Sequence, residues 1–216
     1  MSDDAHFSMA HDGEVVPADA LEPCRPRPAH SRSDLIVPPG TDLWVFGYGS
    51  LMWNPEFAHV EHRGALLRGY HRRFCVYSFR YRGTPERPGL VLGLDRGGSC
   101  RGIAFRVAAE DVPATLDYLW EREMISGVYR PKLLPVRLDS GESVPACTFV
   151  ADREHGQYSG CLCPLTTARF IAQGIGERGP NFDYLANTVA HLHELGIRDH
   201  ALERVLAEVR ELSRPS

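Results

Sequence analysis

The sequence predicts an α+β fold in which the strands come first and most of the helices come late. Between residues 43 and 150, short segments rich in β-branched and aromatic residues alternate with turn clusters such as RGTPERPG, DRGGS and LDSGES. From residue 165 to 212, apolar residues recur at helical spacing instead. Strands and helices therefore fall in separate parts of the chain, unlike the regular alternation of a doubly wound sheet.

Length and composition favour one compact domain with an appended arm. The chain has 216 residues, of which 43% are hydrophobic, enough for a sizeable core. The first 38 residues combine prolines with alternating charges and lack apolar periodicity, as in EPCRPRPAHSRSD. We therefore expect residues 1–38 to form an extended, flexible arm and residues 39–216 to form the folded domain.

Charge, hydropathy and cysteine usage limit the partners. A net charge of −4 gives no electrostatic reason to expect nucleic acid or an anionic membrane surface as a partner. The sequence contains no membrane-spanning apolar segment and does not begin like a signal peptide, which predicts a cytoplasmic protein. Among the six cysteines only Cys161 and Cys163 are close in sequence, so we expect reduced thiols and no metal site.

Seven short segments have the composition of β-strands. They are WVFGY, ALLRGY, RFCVYSF, LVLGL, CRGIAFRV, KLLPVRL and VPACTFV.

One helix is predicted between the strands, over residues 109–126. Asp111 is in position to cap it, Pro113 lies in its first turn and Gly127 follows its end. Its apolar residues have helical spacing: Leu116, Leu119 and Trp120. The late helical region has two such stripes: Leu185, Val189 and Leu192, then Leu202, Val205, Leu206 and Val209.

A carboxylate continues the apolar stripe of the 109–126 helix. One further helical step leads to Glu123, whereas Glu121 points about 160° away around the axis, toward the predicted solvent face. A carboxylate on an apolar face either pairs with an arginine or backbone groups, or has a raised pKa suited to general base catalysis. Tyr129, six residues after Glu123, either packs in the core or contributes its phenol to a functional site.

Two glycines interrupt the apolar stretch LWVFGYGSLMWN. Gly47 and Gly49 leave backbone N–H groups unshielded, and such groups bind anions or a developing oxyanion. A β-bulge or a tight packing crossover explains the glycines equally well. Both nucleotide-binding motifs are excluded, because Met52 takes the place of the third glycine of G-x-G-x-x-G and the lysine of a phosphate loop is absent.

Several motifs together resemble the ChaC-like γ-glutamylcyclotransferases, the branch that acts on glutathione. The resemblance covers residues 43–212 and rests on VFGYGSLMWNPEF, RGYHRRFCVYSFRYRGTPERPGLVLGL, GGSCRGIAFRV, YLWEREMISGVY and NFDYLANTVAHLHELGI. It implies a small closed or nearly closed β-barrel surrounded by helices, with a cavity at one side. It also implies cyclisation of the γ-glutamyl group of glutathione to 5-oxoproline, with release of cysteinylglycine and without a metal or organic cofactor.

The resemblance also assigns residues. Glu123 matches the catalytic glutamate of the family. The predicted substrate-binding residues are Tyr48, Gly49, Ser50, Leu51, Tyr129 and Tyr184. The glycine carboxylate of glutathione needs a cationic or amide partner, for which Arg72, Arg80, Arg82 and Arg87 are candidates that surface solvation explains equally well. Two alternative functions remain at this point: a cyclotransferase for other γ-glutamyl dipeptides or γ-glutamylamines, and a non-catalytic γ-glutamyl or anion sensor.

Overall fold

The computed structural model describes residue 35 and residues 37–214. The predicted N-terminal arm falls outside the described residues, apart from Leu35, Val37 and Pro38. The described strands are β1 (Leu43–Gly47), β2 (Glu61–Ser78), β3 (Gly89–Val107), β4 (Tyr129–Leu138), β5 (Ser143–Ala151), β6 (Ile175–Gly176) and β7 (Gly179–Pro180). The helices are α1 (Val112–Glu123), α2 (Pro164–Gln173), α3 (Asn181–Glu194) and α4 (His200–Leu212).

The first five strands form a closed barrel in the order β1-β3-β2-β4-β5. Neighbours in this order pair antiparallel, and the barrel closes through a short parallel pairing of β1 with β5, in which Trp44 lies opposite Ala146. β6 and β7 form a separate small hairpin between α2 and α3. The α+β class and the closed barrel are thus confirmed.

The prediction of seven separate strands was wrong, because two pairs of segments merge into the long strands β2 and β3. The cluster DRGGS, expected to be a turn, continues β3. Gly97 and Gly98 have positive φ there, at 100° and 68°, opposite Gly69 at 84° on β2. The glycines form a bulge at which the strands bend while their pairing continues. Glycine-rich turns and glycine bulges have the same composition, so the sequence does not separate them.

The helices agree with the predicted stripes. Every residue of the two late stripes is buried. The helix between the strands ends at Glu123, three residues before its predicted end, and Gly127 takes positive φ in the turn that follows. Asp111 occupies the N-cap position, but its side chain accepts no capping hydrogen bond.

Two clusters of buried residues place α1 beside the end of β1. The larger cluster combines the barrel interior with residues of α2, α3 and α4. In the second cluster, Leu119 of α1 packs with Val45 of β1, Phe149 of β5 and Leu51, which follows β1. The carboxyl end of α1 therefore lies next to the loop that leaves β1. Within the described part of the chain, no helix has the length and apolar composition needed to cross a membrane.

Candidate active site

The loop of residues 48–51 folds back onto the strand that precedes it. A short 3₁₀ helix, Ser50–Met52, follows β1, and its first hydrogen bond runs from the Met52 amide to the Gly49 carbonyl at 2.9 Å. The amides that precede Met52 in this turn have no intrahelical acceptor. A Cβ on Gly47 would lie 3.1 Å from the Cβ of Leu51, so close packing accounts for this glycine. A Cβ on Gly49 would meet only Leu92, at an ordinary 3.7 Å.

Arg72 holds the loop from the barrel side. Its side chain is buried, donates from Nε to the carbonyl of Tyr48, and donates from Nη2 to the carbonyl of Arg101 at 2.7 Å. Its Nη1 forms an ion pair of 3.0 Å with Asp199, at the N-cap of α4. Since these contacts occupy the guanidinium inside the protein, Arg72 is no candidate for binding the glycine carboxylate.

Arg122 holds the same loop from the helix side. Its Nη2 donates to Ser50 Oγ at 2.8 Å and its Nη1 donates to the carbonyl of Asn54 at 2.9 Å. Its Nε lies 3.4 Å from a carboxylate oxygen of Glu123. Arg122 lies within the motif YLWEREMISGVY but was not among the predicted site residues. The structure identifies it as the link between the loop and the neighbouring glutamate.

A small cavity, called the inner cavity below, lies between the loop, α1 and the barrel. Its volume is about 60 Å³. Nine residues line it: Tyr48, Gly49, Ser50, Leu51, Leu92, Glu123, Phe149, Tyr129 and Tyr184. All seven predicted site residues are therefore brought together. Leu92 and Phe149 were not predicted, because buried strand residues of this kind carry no sequence signal that separates a cavity wall from ordinary core.

The two glutamates of α1 differ as the helix phase predicts. The Glu123 side chain is 18% exposed and faces the inner cavity, whereas Glu121 is exposed and lies outside that cavity. Burial raises the pKa of Glu123, and the positive charge of Arg122 opposes this increase only in part. A carboxyl group with a raised pKa beside a cavity can accept and return a proton near neutral pH.

Three phenols surround the carboxylate. Burial raises the pKa of Tyr48 and of Tyr129 well above the ordinary value, and that of Tyr184 to about 12, so all three are protonated at neutral pH. The hydroxyl of Tyr129 donates to the carbonyl of Leu92 at 2.6 Å. The phenols thus provide a neutral polar wall whose hydroxyl groups act as hydrogen-bond donors.

The start of α3 is fixed to the barrel, and this fixes Tyr184. The buried side chain of Asn181 accepts from the amide of Leu90 at 2.7 Å and donates to its carbonyl at 2.8 Å. Because Tyr184 lies one turn later, this double hydrogen bond sets its position relative to β3. Asn181 was not among the predicted site residues.

A larger opening, called the outer cleft below, continues the inner cavity toward solvent. Its volume is about 840 Å³, and it shares Ser50, Glu123, Tyr129 and Tyr184 with the inner cavity. Its wall also includes Trp53, Asn54, Glu56, Phe79, Arg80, Tyr81, Arg82, Tyr118, Glu121, Arg122, Arg178, Asn187 and His191. An elongated ligand can therefore place one end in the inner cavity and extend into the cleft.

The described cysteines lie apart from this arrangement. Cys75, Cys100, Cys147, Cys161 and Cys163 carry free thiols, and none of them lines the inner cavity or the outer cleft. Over residues 35 and 37–214, no group of three or more His, Cys, Asp or Glu side chains is placed to hold a metal ion.

Comparisons with known proteins agree with the geometry. The family model for ChaC-like proteins matches residues 43–212. The glutathione-specific gamma-glutamylcyclotransferase of Escherichia coli K12 is 39% identical over 170 residues, covering 79% of this chain and 74% of the relative. The mouse glutathione-specific gamma-glutamylcyclotransferase 1 is 34% identical over 176 residues, 79% of each chain. A crystal structure of the yeast glutathione-specific enzyme has the same fold, with a TM-score of 0.71 at 23% identity, covering 79% of this chain and 96% of that one.

Proposed function

Because the chain belongs to the ChaC-like protein family, we propose that it is a glutathione-specific γ-glutamylcyclotransferase, an enzyme that converts glutathione into 5-oxoproline and cysteinylglycine. The observation that carries this proposal is the position of Glu123. A carboxylate with a raised pKa shares a small cavity with the 48–51 loop and three protonated phenols. A binding protein without catalytic activity has no use for a carboxylate whose burial is unfavourable.

The reaction depends mainly on holding the substrate in a bent conformation, and less on a reactive group of the protein. The α-amino nitrogen of the γ-glutamyl group attacks its own γ-carbonyl carbon, the lactam C–N bond forms, and the amide C–N bond to cysteine breaks. Both reacting groups belong to one molecule, so holding them in a near-attack geometry supplies much of the rate. The inner cavity encloses the glutamyl end in this proposal, and the cysteinylglycine end extends into the outer cleft.

Glu123 moves the protons. The α-amino group is an ammonium at neutral pH and becomes nucleophilic only after it loses a proton, which Glu123 accepts as a general base. As the tetrahedral intermediate collapses, the same group protonates the departing amide nitrogen, so that cysteinylglycine leaves as an amine. The raised pKa suits both steps, because a group that accepts and returns a proton works best when its pKa is near the operating pH.

The 48–51 loop supplies hydrogen-bond donors to the substrate. In this proposal, amides at the start of the turn and Ser50 Oγ, which line the inner cavity with Glu123, donate hydrogen bonds to an anion. That anion is either the α-carboxylate of the glutamyl group or the oxyanion that develops on the γ-carbonyl oxygen. Arg72 and Arg122 fix the loop from two sides, so little reorganisation is needed when charge develops.

Substitution of the two neighbouring glutamates tests the proposal. Glu123→Gln removes the base and keeps the shape, so kcat for 5-oxoproline formation from glutathione should fall by about 10²- to 10⁴-fold. Glu121→Gln, at a carboxylate that lines the outer cleft and not the inner cavity, should leave kcat close to that of the wild type. The measurement is 5-oxoproline release by chromatography, with circular dichroism to check that both variants fold.

Substrate comparison separates the alternatives in the same assay. Faster turnover of γ-glutamyl-alanine or γ-glutamyl-lysine than of glutathione would assign the chain to a related cyclotransferase activity. Binding of γ-glutamyl compounds without any 5-oxoproline formation would instead identify a sensor. Equal losses in Glu123→Gln and Glu121→Gln would contradict the assignment of Glu123 as the base.

A further inference from the structure

The proposed function leaves one end of the substrate without a partner. Glutathione ends in a glycine carboxylate, and none of the described residues that line the inner cavity is cationic. Of the four arginines named from the sequence, Arg72 is buried in internal contacts and Arg87 does not line the outer cleft. Arg80 lines the cleft but already pairs with Glu177 at 2.9 Å. Arg82 is the remaining candidate, and the inference that follows rests on the proposed function.

Arg82 is held in place with one edge of its guanidinium unused. Its Nη1 donates to the carbonyls of Arg178 and Pro180, at 2.6 and 3.2 Å. Its Nε and Nη2 donate to no residue that the structure describes, and it forms no ion pair there. Those two groups form the edge that binds a carboxylate through two parallel hydrogen bonds. The side chain is therefore ordered before any ligand arrives.

Arg178 provides a second cation in the same wall of the cleft. Its guanidinium lies 4.5 Å from the centre of the Tyr81 ring, and it forms no ion pair or side-chain hydrogen bond with the described residues. Burial and the nearby positive charge of Arg178 lower the pKa of Arg82. Two guanidinium groups near each other repel, and an anion that contacts both relieves the repulsion.

The ring of Tyr184 lies between Arg82 and the inner cavity. The guanidinium of Arg82 lies 5.0 Å from the centre of the Tyr184 ring, and Tyr184 lines both the inner cavity and the outer cleft. The cysteinylglycine part extends over about 7 Å when fully stretched. One aromatic ring thus separates the cavity from the cation, a gap that two residues of substrate can bridge.

We propose that Arg82 and Arg178 bind the glycine carboxylate of glutathione and thereby determine the preference for glutathione over γ-glutamyl compounds that lack this group. Arg82 binds it through Nε and Nη2, and Arg178 adds a second charge from the more exposed side. These contacts are the same in the ground state and the transition state, so they lower KM rather than raise kcat.

The test compares glutathione with its glycine monoethyl ester, which differs only in the neutralised carboxylate. We expect the wild-type protein to prefer glutathione by about 10- to 100-fold in kcat/KM, the value of a charge-assisted hydrogen bond. Arg82→Gln should remove most of this preference by raising KM for glutathione, and it should change kcat/KM for the ester by a much smaller factor. Arg178→Gln should act in the same direction by a smaller factor. Arg87→Gln, in the same turn but outside the cleft, is the matched control.

Each outcome decides the question. Equal turnover of both compounds by the wild type would overturn the assignment, as would variants that lose activity toward glutathione and the ester by the same factor. Arg178→Gln keeps the test valid if Arg82→Gln does not fold, because the Arg178 side chain donates no hydrogen bond to the described residues. A wild-type protein that forms no 5-oxoproline from either compound would contradict the proposed function itself, and the assignment would fall with it.

Discussion

The inner cavity and the outer cleft adjoin each other, but the two arginines that fix the 48–51 loop and the two arginines proposed to bind substrate in the outer cleft are held in opposite ways. Around the inner cavity, Arg72 and Arg122 are each satisfied by several protein acceptors and fix the 48–51 loop from two sides. In the outer cleft, Arg82 and Arg178 rest on aromatic rings and form no ion pair with the described residues. Arg72 and Arg122 therefore have protein acceptors before a ligand binds, whereas Arg82 has hydrogen-bond donors that no described residue uses.

This difference separates two requirements of the proposed enzyme. Cyclisation needs reacting groups in a fixed geometry, and arginines that contact backbone carbonyls and a loop serine supply that rigidity. Discrimination between substrates needs cations that only the right substrate neutralises. Substitutions around the inner cavity should therefore lower stability or kcat, while those in the outer cleft should raise KM.

The largest effect is expected for Arg72→Met, which would release the 48–51 loop that lines the inner cavity. The change leaves the carbonyls of Tyr48 and Arg101 without their donor and leaves Asp199 unpaired. We expect the free energy of unfolding to fall by about 3 kcal/mol, the lower end of the range for breaking a buried ion pair, because Asp199 is 18% exposed. The measurement is the urea unfolding midpoint, together with kcat for glutathione.

Arg68→Met is the matched control for Arg72→Met. Arg68 lies on the same strand and its side chain is exposed. This variant should unfold at the wild-type urea concentration. Wild-type stability in Arg72→Met would mean that the loop does not depend on its barrel-side contact.

A smaller effect is expected for Arg122→Gln, which acts on the helix side of the same loop. Loss of the contact with Ser50 should lower kcat by about 10-fold, as expected for one hydrogen bond to a charged group. Arg122 also holds down the pKa of Glu123, which burial raises. Without its charge that pKa rises further, and because the base must be ionised, the acid limb of the pH–rate profile should move to higher pH.

Arg122→Lys separates the two contributions of Arg122. Lysine keeps the positive charge, so the acid limb should stay near its wild-type position. A single ammonium cannot contact Ser50, Asn54 and Glu123 together, so kcat should still fall. An acid limb that is unchanged in Arg122→Gln would exclude electrostatic coupling between Arg122 and Glu123.

The sequence correctly predicted features that depend on local periodicity, but it did not predict contacts between segments that are distant in the chain. The side of α1 that carries Glu123 follows from 3.6 residues per turn, and the buried stripes of α3 and α4 follow from the same rule. The contact of Arg122 with Ser50 joins positions 72 residues apart, and no spacing rule reports it. Arg178 was missed for the same reason, since its relation to Arg82 depends on the β6–β7 hairpin.

The resemblance to a family added what periodicity could not. It predicted a barrel from segments that, taken alone, indicated only many short strands. It also placed Tyr184, more than 130 residues after the 48–51 loop, in the same pocket. It did not distinguish among the candidate arginines, because partners and burial, rather than residue type, separate Arg72 from Arg82.

The smallest expected effect is on the stability of the folded protein without substrate, and it comes from Glu123 in the inner cavity. Burial raises the pKa of Glu123 in the folded state above its unfolded value. Above the folded pKa the carboxylate is ionised in a site that disfavours the charge, so folding loses stability there. Below the unfolded pKa, about 4.3 for Glu, both states are protonated and this loss disappears. Glu123→Gln should therefore raise the melting temperature at pH 7.5, by less than Arg72→Met lowers it.

The pH dependence of that gain identifies its cause. The difference in melting temperature between Glu123→Gln and the wild type should shrink as pH falls through the interval between the two pKa values, and it should vanish near pH 4. Glu121→Gln, at an exposed carboxylate on the same helix, should show no such dependence. A gain that stays constant with pH would indicate improved packing by glutamine, and the buried charge would then not be the source of the instability. A gain that shrinks as pH falls would mean that the ionised Glu123 carboxylate destabilises the folded protein. Such a cost is expected of a residue that is kept for catalysis.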